Sequence, residues 1–430
     1  MLDTLDRWNR WGKAKLASGH RRDVVAGIEP WLDRKEVLGL IGPRRAGKST
    51  VMFQLMDILE ARGIARERML HLNLEDPELA TELGPELLDR VWATFRDEVA
   101  PEGRAYLFFD EVQVVPGWER WVRARNESED VKIVVTGSSA KLLSRELGTL
   151  LTGRHMMFRV HPLGFAEFLR WRGVDPGQER RGSDPPALQR ALAEFVRHGG
   201  FPEVVLARED RIKEMLLKQY FDDVLYRDVA MRHEVRDLPS LRALAVHLLG
   251  QTAALVSHQR LATQLGVSQE QVRNYCGYLQ EAMLVDFLSV YSSKLAVRAR
   301  NPQKVFAIDT GLRNAVCYAA TPDHGRLAET VAYGALLRDT DDSLCYWRNG
   351  HEVDLVVRRG GHVVRLVQVA YELDRAGEVE GRERAALVAA GEQFPEAERL
   401  FVVQKRVPAA RKKDAEAPRS LARFLLQQSV

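Results

Sequence analysis

Eight consecutive residues near the start of the chain have the types and spacing to hold a polyphosphate. Gly42, Pro43, Arg44, Arg45, Ala46, Gly47, Lys48 and Ser49 fit G-x-x-x-x-G-K-S/T at every fixed position, and Thr50 follows. A glycine-rich turn lets backbone N–H groups converge on phosphate oxygens, and the helix it opens presents its N-terminus to the anion. Lys48 is placed to neutralise the β- and γ-phosphates, and the Ser49 hydroxyl to ligate Mg2+. Further along, Asp110 and Glu111 end the apolar run AYLFFDE. Behind a phosphate loop, Asp110 is expected to hold Mg2+, directly or through water, and Glu111 to polarise the attacking water. Without that loop, such a pair reads as a solvated strand end or a cap. Thr136-Gly-Ser138-Ser139 closes the next apolar run. A hydroxyl there, such as that of Ser138, reads either as a γ-phosphate sensor or as the N-cap of the helical pattern that follows. No guanine-reading N-K-x-D is present, so ATP is the default nucleotide.

These groups need a scaffold that brings several strand ends to one edge. EVLGLIGP (36–43), MLHLNLED (69–76), AYLFFDE (105–111), VKIVVTGSS (131–139) and HMMFRVHP (155–162) read as strands. VMFQLMDILEARG, ELLDRVWATFRDEV and AKLLSRELGTLL read as the helices between them. Apolar strands joined by helical crossovers predict an α/β fold with a parallel sheet covered on both faces. A polar stretch at 172–187 reads as a surface loop. The pattern is then helical to about 255, and mixed strand and helix from about 301. Gly360-Gly361 marks a hairpin turn within VDLVVRRGGHVVRLVQV. The basic tail KRVPAARKKDAEAPRS reads as loose.

Composition narrows the class. With 430 residues, two to four domains are expected, and 45% hydrophobic and 29% charged residues are those of a globular chain. A formal charge of +3 excludes a strongly basic nucleic-acid binder, so any such surface must be local. Cys276, Cys317 and Cys345 lack metal-ligand spacing, and three is odd for a disulfide framework; a reducing cytoplasm is expected. No signal peptide or membrane span is apparent, so no membrane partner is expected.

In QRLATQLGVSQEQVRNYCGYLQEAMLV, Ala262, Gly266 and Val272 have helix-turn-helix spacing, with Ser268 as N-cap of the second helix. That helix carries one arginine and two glutamates, which is poor for attracting phosphates. Lys294, Arg298, Arg300 and Lys304 lie downstream, where a wing would supply positive charge. DNA binding and protein packing are both open readings.

Taken together, GPRRAGKST, LNLEDPEL, LFFDEVQVVPGWERWV, GGFPEV, YFDDVLYRDV, NPQKVFAIDTGL and GHEVDLVV resemble a family of bacterial and archaeal AAA-superfamily ATPases with a C-terminal domain of unknown function. The resemblance implies a P-loop AAA-type core (1–165), a helical lid (166–255), a winged-helix segment (256–300) and a restriction-endonuclease-like C-terminal α/β domain (301–430). The phosphate loop and acidic strand end point to ATP and Mg2+ as ligands and to hydrolysis of ATP to ADP and phosphate, and the expected partner is DNA, a protein or a second copy of the chain. The resemblance places Pro202 of Gly200-Phe201-Pro202 toward the nucleotide, although Gly and Pro equally favour a plain turn. It also suggests Arg154 as a γ-phosphate sensor or a finger offered to a neighbouring subunit, since guanidinium pairs phosphate bidentately. Arg227-Asp228 reads as an internal ion pair or a lid contact.

Restriction-type nucleases need a helix glutamate, an aspartate and an E/Q-x-K strand. Glu329, Asp354 and Gln368 occupy such positions, with Mg2+ as the metal. The lysine position is Ala370, on the strand face that Gln368 shares, so Arg365 cannot stand in for it. Arg384 is a candidate for a relocated group. The missing lysine favours a binding or scaffolding domain over an ATP-dependent nuclease.

Overall fold

The computed structural model describes the chain except residues 13–16, 139–153, 175–184, 318–322, 339–341, 374–377, 406–417 and 429–430. The helix expected over 140–151, most of the loop at 172–187 and most of the basic tail lie outside the described residues. Two compact units are present, Met1–His161 and Pro162–Val430.

The first unit contains α1 (Leu2–Trp8), α2 (Val24–Ile28), β1 (Val37–Ile41), α3 (Lys48–Ala61), β2 (Met69–Asn73), α4 (Pro85–Glu98), β3 (Ala105–Asp110), α5 (Trp118–Ser128), β4 (Val131–Gly137) and β5 (His155–Arg159). Their sheet is parallel, in the order β2-β3-β4-β1-β5. β1, β3 and β4 are buried along their whole length, as strands covered on both faces must be. Leu38, Leu40, Val51, Met52, Leu55, Phe108 and Val134 form one core between the sheet and α3. The edge strand β2 is met by side chains rather than by another strand. The Asn9 amide both donates to the His71 carbonyl (2.9 Å) and accepts from the His71 N–H (2.6 Å), and the Trp11 indole donates to the Met69 carbonyl (2.9 Å).

The second unit opens with helices: α6 (Phe165–Trp171), α7 (Pro186–His198), α8 (Pro202–Leu206), α9 (Asp210–Asp223), a π-helical segment (Val224–Met231) and α10 (Leu238–Gly250). Within the π-helical segment Asp228 is buried beside Arg232 (3.7 Å). A small antiparallel sheet follows, β6-β8-β7, from Ala254–Val256, Gln303–Ala307 and Val285–Leu288. It packs with α11 (His258–Leu265) and α12 (Gln269–Glu281). Gly266 is left-handed at the turn (φ 68°), Ser268 accepts from the Gln271 N–H (3.0 Å), and Val272 is buried. α13 (Leu295–Arg300) lies between β7 and β8, and α14 (Thr310–Val316) and α15 (His324–Leu336) come next.

The last layer is a mixed sheet, β13-β12-β11-β10-β9, built from Asp342–Asn349 (β9), His351–Arg359 (β10), His362–Glu372 (β11), Glu398–Lys405 (β12) and Arg419–Ser420 (β13). β10 is antiparallel to both β9 and β11, while β11, β12 and β13 are parallel. Gly360 and Gly361 both have positive φ, which the two-residue turn after Arg359 requires. Alternation along β11 sends Val367 and Val369 toward α15, and Leu366 and Ala370 toward α16 (Glu378–Gln393).

A buried carboxylate joins two of the expected motifs. Asp309 accepts from the Gly200 N–H (2.7 Å) and the Leu312 N–H (3.0 Å). A Cβ on Gly199 (φ 74°) would lie 1.9 Å from Asp309 Oδ1, so the first glycine of GGFP is required by this contact. Burial pushes the Asp309 carboxyl up to about 6 against the pull of its backbone donors. The folded value exceeds the unfolded one, so the associated stability is complete at low pH and is lost as pH rises through about 6. The stability advantage of the wild type over Asp309→Asn should therefore shrink between pH 4 and pH 7. The change is at most about 3 kcal/mol, because a tenfold difference in proton affinity between the folded and unfolded chain is equivalent to roughly 1.4 kcal/mol. Urea unfolding at the two pH values measures it, and a constant difference would mean that Asp309 is ionised throughout.

Candidate functional site

β1 delivers the phosphate loop to the C-terminal edge of the parallel sheet, and β3 delivers Asp110 and Glu111 to the same edge. β4 lies between them, so the two segments stand two strand spacings apart, roughly 10 Å. Side chains close that gap. The Ser49 hydroxyl donates to Asp110 Oδ2, and the Thr136 hydroxyl, from β4, donates to Asp110 Oδ1. Thr136 Oγ1 in turn accepts the Glu111 N–H (2.9 Å).

The loop's backbone is shaped for close approach. A Cβ on Gly42 would lie 2.2 Å from the Val160 carbonyl oxygen, so only glycine fits where the loop leaves β1. Arg45 (φ 67°) and Gly47 (φ 94°) are left-handed, which turns the chain into the start of α3. The Arg44 guanidinium pairs bidentately with Glu75 (2.6 and 3.1 Å). Pro43 and Ala46 belong to the same turn, where the Ala46 N–H meets the Pro43 carbonyl (3.2 Å). Thr50 continues into α3.

Lys48 is buried, with its ammonium on the Gly42 carbonyl (3.1 Å) and the Glu111 carboxylate (3.3 Å). Glu111 is itself left-handed (φ 54°), a conformation that costs a non-glycine residue about 1–2 kcal/mol. Burial raises the Glu111 pKa, but Lys48, the Gln113 amide (2.7 Å) and Arg44 outweigh it and hold the carboxyl below its usual range. The strained residue is thus an ionised base aimed at the loop's lysine. Ser138 is buried at the end of β4, beside the exit from β1. The helix that Ser138 and Ser139 were expected to cap lies outside the described residues. A glycine-walled loop, a hydroxyl on a carboxylate and a buried ammonium on carbonyls form a donor set that fits a nucleotide's phosphates and Mg2+.

Arg154 corrects one expectation. It precedes β5 and its carbonyl accepts from the Val37 N–H (3.0 Å), at the N-terminal edge of the sheet. The loop lies at the other edge, the length of β5 away, roughly 15 Å at about 3.3 Å per residue. Arg154 is 60% exposed and paired with Glu127 (3.0 Å). It cannot sense a γ-phosphate bound by its own chain.

Arg22 has no sequence signature and was not expected at the site. Its buried guanidinium donates to the Ala46 carbonyl (2.6 Å) and the His161 carbonyl (2.7 Å), clamping the loop from behind. Its N–H meets Gln54 of α3 (3.0 Å), whose amide donates to the Ser18 and His20 carbonyls (2.7 Å each). Pro202 opens α8, and the described hydrogen bonds of its motif are made within the second unit.

The second constellation is assembled, with an unexpected member. Glu329 of α15, Asp354 of β10 and Gln368 of β11 line one cleft of about 480 Å3 with Glu352, Arg382 and Glu383. Lys304, expected on the wing, instead lies buried in β8 with its ammonium on Glu352 (2.8 Å), Glu329 (2.9 Å) and Asp354 (3.2 Å). Asp354 Oδ2 accepts the Val369 N–H (3.0 Å). Gln368 Oε1 accepts the Asp354 N–H (3.2 Å), and Gln368 Nε2 donates to Glu383 (2.5 Å). Ala370 is packed in the apolar layer against α16, and Arg384 is paired with Glu380 one turn away (2.9 Å). Among the described residues no group of three or more His, Cys, Asp or Glu side chains is arranged to hold a metal ion. These residues do not fit a divalent metal, because the Lys304 ammonium already stands where Glu329, Glu352 and Asp354 converge.

The parallel sheet, the loop and the acidic strand end define an AAA-type P-loop protein. The AAA domain family matches residues 34–169, and a domain of unknown function (DUF8612) matches residues 189–323. An uncharacterized protein of Methanocaldococcus jannaschii is 30% identical over 86% of this chain and 82% of its own length. An uncharacterized protein of Haemophilus influenzae is 30% identical over 82% and 87%. The chain belongs to the family of these two proteins. Among solved structures, AMPPCP-bound DnaA from Aquifex aeolicus covers 60% of this chain and 86% of its own at 12% identity, with a TM-score of 0.25. C. elegans PCH-2 covers 47% and 59% at 16% identity, with a TM-score of 0.27. Among the described residues no helix is long and apolar enough to cross a membrane.

Thr136→Val keeps the shape of the side chain but leaves the Glu111 N–H and Asp110 Oδ1 without a partner. It should lower stability by about 1–3 kcal/mol in urea unfolding. It should also weaken Mg2+-dependent binding of a fluorescent ATP analogue more than Mg2+-free binding. Equal loss in both conditions would show that Thr136 does not organise the metal side of the site.

Proposed function

We propose that this chain hydrolyses ATP to ADP and phosphate, and that nucleotide occupancy is reported to its second unit. The observation that carries the reading is the convergence of Lys48, Ser49, Asp110 and Glu111, with Lys48 resting on Glu111. Phosphate groups entering the loop offer Lys48 more negative charge than one carboxylate does. The ion pair then opens, and Glu111 is released to take a proton from water. While it is paired with Lys48 its depressed pKa keeps it ionised at neutral pH, so it enters the step as a base and not an acid. Ser49 and Asp110 would hold Mg2+, which supplies charge neutralisation along the phosphates. Lys48 stabilises the charge that develops on the transferred phosphoryl group, and no covalent intermediate is required.

The four-segment organisation supports a switch. The helices over residues 166–255 are the candidate lid, and β6–β8 with α11 and α12 have the make-up of a winged helix. The mixed sheet flanked by α15 and α16 supports a restriction-endonuclease-like reading of the C-terminal part. Lys294 and Arg300 are exposed on and before α13, where a wing would meet DNA. Arg154 is exposed where it could act only on nucleotide held by a second copy of the chain.

The test is phosphate release from ATP, with and without duplex DNA and over a range of protein concentrations. Lys48→Ala should lose tight nucleotide binding. Glu111→Gln should keep binding but lose turnover by 100-fold or more, on the order expected for a general base. Retained turnover in Lys48→Ala would overturn the assignment. Stimulation by DNA would identify the partner as nucleic acid, and turnover indifferent to DNA would point to a protein.

A further inference from the structure

Lys304 is a buried amine whose three protons have three carboxylate acceptors, Glu329, Glu352 and Asp354, at 2.8–3.2 Å. A buried ammonium is tolerated only with such partners, since an isolated charge in the interior costs far more than any single contact returns. The three acceptors come from α15 and β10, whereas Lys304 comes from β8 of the small antiparallel sheet. Asp354 Oδ2 and Gln368 Oε1 each receive a backbone N–H.

We propose that Lys304 is a tethered cation occupying the seat that a divalent metal would take, so that this cluster is closed to metal and fastens β8 to the mixed sheet. The inference rests on the nuclease-like reading only for what the cluster would otherwise hold. A nuclease lysine on β11 would stand beside a bound metal. The β11 position is instead Ala370, packed among apolar residues, and the amine has moved into the carboxylates from another element. The Lys304 pKa is raised, since burial is outweighed by Asp354, Glu329 and Glu352. Burial and the Asp354 charge push the Glu329 carboxyl up to about 8 against the pull of Lys304. A cation of higher charge has a place only after Lys304 leaves.

The experiment counts Mn2+ bound to the full chain without nucleotide, by electron paramagnetic resonance. Wild type and Asp354→Asn should bind the same number of ions. Lys304→Met should gain one further ion, at least ten-fold tighter than any binding at this cluster in the wild type. That ion should be lost again in the Lys304→Met, Asp354→Asn double variant. The melting temperature of Lys304→Met should rise with added Mn2+ by more than that of the wild type, as for any added ligand that binds only the folded state, while Asp354→Asn should respond as the wild type does. An ion in the wild type that depends on Asp354, or a folded Lys304→Met that gains none, overturns the proposal. Should Lys304→Met fail to fold, Lys304→Arg keeps the charge and should be as blind to Mn2+ as the wild type. Uptake by the arginine variant that depends on Asp354 would overturn it equally. An ion at the phosphate loop is recognised separately, because it is lost in Asp110→Asn and unaffected by Asp354→Asn.

Discussion

The Asp110 carboxylate is the point on which the first unit turns. One of its oxygens is held by Ser49 from the loop after β1, and the other by Thr136 from β4. Those two hydroxyls convert three separate strand ends into one edge with fixed spacing. The same Thr136 oxygen pins the backbone of Glu111 in a conformation it would not adopt alone. Strain at Glu111 and order at Asp110 therefore have one cause. Arg22 acts from the opposite side, fixing the loop's carbonyl at Ala46 so that its N–H groups can turn inward.

Two of the protein's buried lysines, Lys48 and Lys304, meet carboxylate with opposite consequences. Lys48 has one carboxylate and a backbone carbonyl, an arrangement that a polyanion can outcompete. Lys304 has three carboxylates and no room for a better offer. The number of acceptors, more than the depth of burial, separates an ion pair that opens from one that stays shut. The first is suited to a catalytic site and the second to a joint.

What was legible in the sequence was whatever depends on neighbours along the chain. The phosphate loop, the acidic strand end, the turn at Gly266 and the hairpin at Gly360-Gly361 are each set by local backbone chemistry, and each appears where its residues required. The parallel sheet was legible because β1, β3 and β4 are apolar without alternation. What was not legible depends on residues far apart. Nothing around Arg22 marks it as a partner of Ala46 or of His161. Lys304 sits in a run of basic residues that reads as a charged surface. Only the pairing of β8 with β6 and β7 turns that one side chain inward, toward α15 and β10. The place of Arg154 was illegible for a related reason, since whether it faces its own chain's nucleotide depends on which end of β5 it occupies and not on its type.

The outer edge of β2 has a consequence for how the molecule behaves in company. An edge strand offers a row of unpaired peptide groups to any extended chain, and this is the usual starting point of sheet-to-sheet aggregation. In β2 the outward groups at Met69 and His71 are already bonded, to the indole of Trp11 and the amide of Asn9. An amide side chain reproduces both halves of a peptide rung, so it ends the ladder without adding a strand that would itself need ending. The residues around α1 thus serve as a stopper on the sheet, built from two side chains that take no part in its chemistry.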